Sequence, residues 1–170
     1  RYVLGVSLKF QRDKISLSVV IKLFSKLKSA LFFKIKGNRQ EFEWQLICVA
    51  DCLRILGMLK LASWLAIKIS NSTLIKKHMF WSLHVAAVAF HYAEKYSIAK
   101  HLFETSQIYS CEISVSFSFQ HLGKLNTELG NYDLAERQFS QALAIRQSHN
   151  KPELISSSER ALLGLQKLRT

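Results

Sequence analysis

One stretch, residues 122–142, constrains the fold of this chain more than any other. It reads LGKLNTELGNYDLAERQFSQA, with a small residue, Gly123, near its start and a turn-forming glycine, Gly130, in its middle. After Tyr132, small and large side chains recur at helical spacing, at Ala135, Phe139 and Ala142. The pattern predicts two short antiparallel helices that are joined by a tight turn and approach each other closely at small residues.

The same design recurs twice upstream, so the chain contains an internal repeat. Three segments share one turn design and end in alanine: LGMLKLA at 56–62, AEKYSIA at 93–99 and LGNYDLA at 129–135. Their final alanines are 37 and 36 residues apart. A period of this size is typical of helical-hairpin repeats, in which each repeat buries its apolar face only against its neighbours.

The stretch 116–147 resembles a tetratricopeptide repeat, and the segments 80–109 and 43–70 resemble it less closely. The phrase QALAIRQ at 141–147, followed by a long turn with Pro152, is similar to the kinesin-light-chain style of that repeat. The resemblance implies an all-α fold, a right-handed α-solenoid of antiparallel helix hairpins that forms a TPR-like superhelix. Composition favours the same class, since the chain has one proline and six glycines among 170 residues.

The domain organisation follows from these repeats. With 49% apolar and 21% charged residues, the chain has a globular composition. Residues 1–40 are expected to form a basic amphipathic helical segment, and a degenerate repeat is one reading of it. Residues 41–170 are expected to form a TPR-like helical repeat domain, with hairpins at about 43–70, 80–109 and 116–147 and a terminal helix at about 153–168.

The resemblance also implies a function, that of a non-enzymatic scaffold or adaptor for protein–protein interaction. In this family the first helix of each hairpin lines a concave groove that holds a peptide or a helix of a partner protein. The groove positions of the family repeat can be transferred to the matching residues of this chain. The resemblance then implies a partner-binding groove lined by Trp44, Asp51, Arg54, Trp81, His84, His91, Gln120, Lys124 and Thr127. The alternative is that these side chains face solvent or pack against an extension of the same chain. The sequence does not identify the partner, and membership of a larger complex is compatible with such a scaffold.

Positive charge is concentrated near the N-terminus. The formal net charge is +12, and residues 1–40 contain ten Lys or Arg against one acidic residue, Asp13. A basic patch is predicted at Lys22, Lys26, Lys28, Lys34, Lys36 and Arg39. It favours nucleic acid or an anionic surface as an alternative partner, with nucleic acid ranked below a protein, and a solvated helix face is the simpler reading. A third alternative is the repeat region of a larger signalling or transcription regulator.

The sequence contains no catalytic signature that we recognise. The patterns HExxH, GxGxxG and GxxxxGKS/T are absent, so neither an enzyme nor a cofactor is predicted. Cys48, Cys52 and Cys111 form no CxxC pair. Core cysteines are therefore expected, rather than a metal site shared with His84 or His91.

The cellular location is inferred from the cysteines and the apolar stretches. Residues 46–69 are apolar but contain four charged side chains, so they predict buried helices and not a transmembrane span. Three cysteines without a disulfide framework favour a reducing compartment, the cytoplasm. An organelle is the alternative, because the sequence begins at Arg1 and not at a methionine.

Overall fold

The computed structural model describes residues 9–169, which form eight α-helices and no β-strand. The helices are α1 (Leu17–Ile35), α2 (Arg39–Ile55), α3 (Leu59–Ser70), α4 (Lys76–Tyr92), α5 (Tyr96–Gln107), α6 (Val115–Glu128), α7 (Tyr132–Ser148) and α8 (Pro152–Arg169). The prediction of an all-α fold is confirmed for residues 9–169.

The helices belong to two compact units, and consecutive helices pack against each other within each unit. The α1–α5 unit is Asp13–Tyr109, and the α6–α8 unit consists of residues 9–12 with 110–169. Residues 1–8 of the predicted basic segment lie outside the described residues. Of the remainder of that segment, residues 9–12 pack in the α6–α8 unit, and α1 packs in the α1–α5 unit.

The helix bounds can be compared with the predicted hairpins. The segment 43–70 contains most of α2 and all of α3, 80–109 contains most of α4 and all of α5, and 116–147 contains most of α6 and α7. Within the α1–α5 unit, α2 contacts α4 directly as well as α3. Within the α6–α8 unit, α6 contacts α8 as well as α7. In each unit, the first helix of a hairpin therefore neighbours the helix that begins the next segment.

Small residues allow the helices of the α1–α5 unit to approach closely. Ala50 of α2, Ala66 of α3 and Ala86 of α4 are completely buried in one apolar cluster. Ile47 and Ile69 fill the space beside them. Alanine contacts bring helix backbones together, and branched side chains then fill the remaining volume to the density of a protein interior.

Five of the turns between helices share one backbone geometry. In five turns one residue has a positive φ, between 49° and 82°: Gly37, Gly57, Glu94, Gly130 and Asn150. In each turn the next backbone N–H donates to a carbonyl five residues back, as in the 2.9 Å hydrogen bond from Asn131 to Asn126. This is the Schellman closure, which glycine adopts without strain because it has no Cβ.

We expect Glu94→Gly to raise the free energy of unfolding of the α1–α5 unit by about 0.5–1 kcal/mol, because glycine removes the Cβ strain at this left-handed position. Urea unfolding followed by tryptophan fluorescence measures the change, since Trp44, Trp64 and Trp81 all lie in this unit. Gly57→Ala, at a turn with φ +82°, is the matched control and should be destabilising. Lower stability of Glu94→Gly would contradict the expectation.

Candidate partner-binding surface

Arg54 of α2, a predicted groove residue, is buried within a network of its own unit. Its Nε and Nη2 atoms donate to Asp51 Oδ1 at 3.0 and 2.7 Å, and its Nη1 atom donates to Asp13 Oδ2. Burial opposes the charged form, but the carboxylates of Asp51 and Asp13 raise the pKa of Arg54 above its usual range. Arg54 therefore binds an upstream residue of the same chain, which is the alternative that the sequence left open.

Asp13 is fixed from a second side by Tyr92 of α4. The Tyr92 hydroxyl donates to Asp13 Oδ2 at 2.9 Å and accepts from the Asp13 backbone N–H at 3.1 Å. Burial and the Asp13 carboxylate raise the pKa of Tyr92 to about 12, so the phenol is protonated at neutral pH. The Arg54 guanidinium lies 5.4 Å from the centroid of the Tyr92 ring. These contacts attach Asp13 to both α2 and α4.

The four aromatic groove residues of the α1–α5 unit differ in exposure. His91 is completely buried, and His84 packs against the Phe103 ring with 5.4 Å between centroids. Trp44 and Trp81 are only half-buried. In this unit, therefore, Trp44, Trp81 and Asp51 keep some exposed surface, whereas His84 and His91 belong to the core.

In the α6–α8 unit, Gln120 and Thr127 are buried inside the helix packing. The Thr127 hydroxyl donates to the Gly123 carbonyl at 2.8 Å. Gln120 Oε1 accepts from Arg146 Nη1 at 3.0 Å and from Ser158 Oγ at 2.9 Å. Both predicted groove residues therefore stabilise their own unit, and neither offers appreciable surface to a partner.

Arg146 of α7 is the centre of that buried network, and it was not predicted from the sequence. Its side chain is 2% exposed, and its Nη1 atom also donates to Ser158 Oγ at 2.7 Å and to the Leu154 carbonyl at 3.0 Å. Among residues 9–169, no carboxylate forms an ion pair with it. Burial lowers the pKa of Arg146 to about 10, so it is still charged at neutral pH. Arg146 follows Ala142 at helical spacing and so continues the buried stripe of α7. This spacing is the signal from which its burial could have been predicted.

Lys124, the last predicted groove residue, lies one helical turn before Glu128 on α6, and together they hold residues 10–12. Lys124 Nζ donates to the Gln11 carbonyl at 2.9 Å. Glu128 Oε1 accepts from the Phe10 backbone N–H at 2.9 Å. The two Glu128 oxygens also accept from Arg12, Oε1 from Nε at 3.2 Å and Oε2 from Nη2 at 2.7 Å. Neither Glu128 nor its binding to residues 10–12 was predicted from the sequence.

The basic patch is largely exposed. Five of its six residues are exposed and Lys26 is half-buried. The outer face of α1 also carries exposed apolar side chains, which include Leu17, Ile21, Phe24, Leu31 and Ile35. The inner face packs on α2 through other apolar residues, among them the buried Ala30. Helix α1 is therefore apolar on two faces, and residues 9–169 cover only one of them.

A second buried carboxylate, that of Glu43 on α2, was also not predicted from the sequence. Its Oε2 atom accepts from Thr73 Oγ1 at 2.8 Å and lies 3.3 Å from His78 Nδ1, and its Oε1 atom accepts from Arg39 Nε at 2.9 Å. Burial raises the pKa of Glu43, but hydrogen bonds from Arg39, Thr73 and His78 outweigh it and lower the pKa overall. This cluster ties the start of α2 to the turn before α4.

The three cysteines occupy different environments. Cys52 is buried and Cys48 is half-buried, but Cys111 is exposed. The expectation of core cysteines is therefore wrong for Cys111, because it lies in the turn before α6 and not on an apolar helix face. Across residues 9–169, no three His, Cys, Asp or Glu side chains are grouped closely enough to hold a metal ion.

Comparison with known proteins leaves the family open. No protein-family model matches the chain, and no curated protein matches its sequence. The resemblance to tetratricopeptide repeats therefore stays a prediction, based on the residues quoted above. Over the described part of the chain, no helix is long and apolar enough to cross a membrane.

Proposed function

We propose that this protein is a non-enzymatic interaction scaffold, a right-handed TPR-like superhelix whose hairpins bind a segment of a partner protein. The first helices of the hairpins provide the binding surface. These are α2 and α4 in the α1–α5 unit and α6 in the α6–α8 unit. Binding depends on shape and charge complementarity, with most of the affinity in a few aromatic and charged side chains. The cytoplasm is the proposed compartment.

The observation that carries this proposal is that α6 holds a short non-helical segment of the chain. Lys124 and Glu128 bind the main-chain groups of Gln11 and Phe10, and Glu128 also pairs with the Arg12 guanidinium. Main-chain hydrogen bonds combined with side-chain pockets are a common way in which proteins bind peptides. Helix α6 is the first helix of its hairpin, to which the resemblance assigns partner binding.

The α1–α5 unit supports the proposal independently. Trp44 on α2 and Trp81 on α4 are half-buried, and α2 and α4 are in direct contact. Lys77 Nζ lies 4.4 Å from the centroid of the Trp44 ring, which places a positive charge beside this aromatic surface. Tryptophan is enriched among residues that dominate the energy of protein interfaces.

A capture experiment tests the scaffold function. We expect Trp44→Ala/Trp81→Ala to reduce capture of a specific protein partner from cell extract more than about tenfold, because large interface aromatics contribute about 2 kcal/mol or more. Trp64→Ala is the matched control, since Trp64 lies on α3 and is 57% exposed. Quantitative mass spectrometry of the captured proteins measures the ratio.

The outcomes distinguish binding through Trp44 and Trp81 from binding through α1. Unchanged capture by Trp64→Ala, with loss in the double variant at wild-type helix content, supports the proposal. Equal capture by the double variant and the wild type would contradict binding through α2 and α4. If capture is lost only when the lysines of α1 are replaced, the binding surface lies on α1 instead.

Binding to an anionic lipid surface is a second candidate function, and the outer face of α1 favours it. Leu17, Phe24 and Ile35 are 75%, 66% and 76% exposed on that face. Residues 14–40 contain seven Lys or Arg and no Asp or Glu. An apolar helix face bordered by lysines is typical of helices that lie in the interface of anionic membranes.

Vesicle co-sedimentation tests this second function. We expect binding to phosphatidylserine vesicles at low salt to fall more than about tenfold in Lys22→Glu/Lys28→Glu, since each basic residue contributes about 1 kcal/mol near such a surface. Lys60→Glu/Lys68→Glu, on exposed positions of α3, is the matched control. Equal binding to phosphatidylcholine vesicles, or no binding at low salt, would remove this function.

A further inference from the structure

In the α6–α8 unit, residues 10–12 pack against α6, α7 and α8. We propose that Lys124, Glu128, Phe139, Arg160 and Gly164, here called the Phe10 seat, recognise a Phe-x-Arg turn of a partner protein, and that residues 10–12 of this chain occupy the seat as an internal competitor. This inference rests on the proposed scaffold function and names the partner chemistry for one of its surfaces.

The aromatic part of the seat fits a phenyl ring. Phe10 is 7% exposed and packs on Phe139 with 6.0 Å between ring centroids. Gly164 on α8 provides the space, because a Cβ there would lie 3.1 Å from Phe10 Cζ. Ala135 and Leu165 complete the apolar wall. The pocket therefore accepts a large planar side chain, and a side chain at residue 164 would crowd the ring.

The charged part of the seat selects arginine. The Glu128 side chain has no exposed surface, and the Arg12 side chain that covers it is 14% exposed. Two Arg12 nitrogens bind the two Glu128 oxygens at 3.2 and 2.7 Å. The planar guanidinium matches this paired geometry, whereas a lysine ammonium is a point charge. A buried carboxylate without such a partner is unfavourable, so Glu128 favours an occupied seat.

The middle position of the motif is bound through its backbone and through one side-chain hydrogen bond. Lys124 Nζ binds the Gln11 carbonyl at 2.9 Å, and Gln11 has a positive φ of 47°. The Gln11 side chain is exposed and donates to the Arg160 carbonyl at 3.0 Å. Left-handed backbone favours glycine and asparagine, so the seat should accept those residues between Phe and Arg.

The segment can leave the seat without loss of a helix. Residues 9–16 contain no helix, and α1 begins at Leu17. A tethered segment competes at an effective concentration on the order of millimolar. An external Phe-x-Arg segment therefore binds weakly while residues 10–12 are in place and more tightly once they are displaced.

Fluorescence anisotropy with the full chain tests the inference. The probe is a labelled peptide KFQRDK, residues 9–14, and the displaced variant is Phe10→Ala/Arg12→Ala. We expect the peptide to bind this variant at least about tenfold more tightly than the wild type. Peptides KAQRDK and KFQKDK, which lack the phenyl ring or the guanidinium, should bind at least about tenfold more weakly than KFQRDK.

Each outcome supports or overturns the inference. No binding by the displaced variant at wild-type helix content, or equal binding of all three peptides, would overturn it. If the displaced variant loses helix content, Arg12→Ala alone replaces it, because that variant retains Phe10. Peptide binding by Arg12→Ala that does not exceed the wild type would overturn the inference. The scaffold function is tested separately through Trp44 and Trp81, which lie in the other unit.

Discussion

Replacement of Arg146 by alanine is expected to lower the free energy of unfolding of the α6–α8 unit by about 3 kcal/mol. The Arg146 side chain is 2% exposed and connects Gln120 of α6 with Ser158 of α8. Truncation removes these hydrogen bonds and leaves a cavity where the guanidinium and its stem were packed. Amide hydrogen exchange, measured by mass spectrometry on peptides from α6, α7 and α8, gives the change in stability.

Two further variants show how the loss of stability in Arg146→Ala should be interpreted. Arg137→Ala, at an exposed position of the same helix, should change the stability by less than about 0.5 kcal/mol. Arg146→Met keeps much of the apolar volume and removes the buried charge, so we expect it to recover part of the loss. A loss below about 1 kcal/mol for Arg146→Ala would show that this network does not stabilise the unit.

Gly123→Ala is expected to lower the free energy of unfolding of the same unit by about 2 kcal/mol. A Cβ at this position would lie 2.6 Å from Cε1 of the Phe139 ring, which is much closer than carbon atoms normally approach. In an unconstrained helix the same substitution would raise the stability by about 0.5–1 kcal/mol. The sign of the change therefore reports whether the α6–α7 hairpin packs as closely as the repeat pattern requires.

A double-mutant cycle tests that contact directly. Phe139→Leu removes the ring, so the loss in Gly123→Ala/Phe139→Leu should be smaller than the sum of the two single losses. Ser140→Ala, at an exposed position of α7, is the control and should change little. A stabilising Gly123→Ala, or strictly additive losses, would contradict the packing of Gly123 on Phe139.

The all-α class was predictable because its signals are local. Ala62, Ala99 and Ala135 follow the three aligned turns, and all three are completely buried. Gly57 and Gly130, which the alignment places in turns, have a left-handed backbone there. Helical periodicity and turn chemistry act over a few residues, so one sequence is sufficient to predict them.

The binding surface was less predictable because burial depends on distant parts of the chain. Helix α4 contacts α2, α3 and α5, so side chains on most of its faces, including His84 and His91, are buried. The pairing of Arg12 with Glu128 joins residues 116 positions apart. No short-range spacing encodes such a contact. For α1, the periodicity indicates apolar faces but not which of them is covered.

Hydrogen–deuterium exchange of the full chain, alone and with its captured protein partner, tests the central claim most directly. The scaffold proposal predicts increased protection at the surface of first helices, in α2 and α4 or in α6, with little change in α1. Protection confined to α1, or no change in any of these helices at saturating partner, would contradict it.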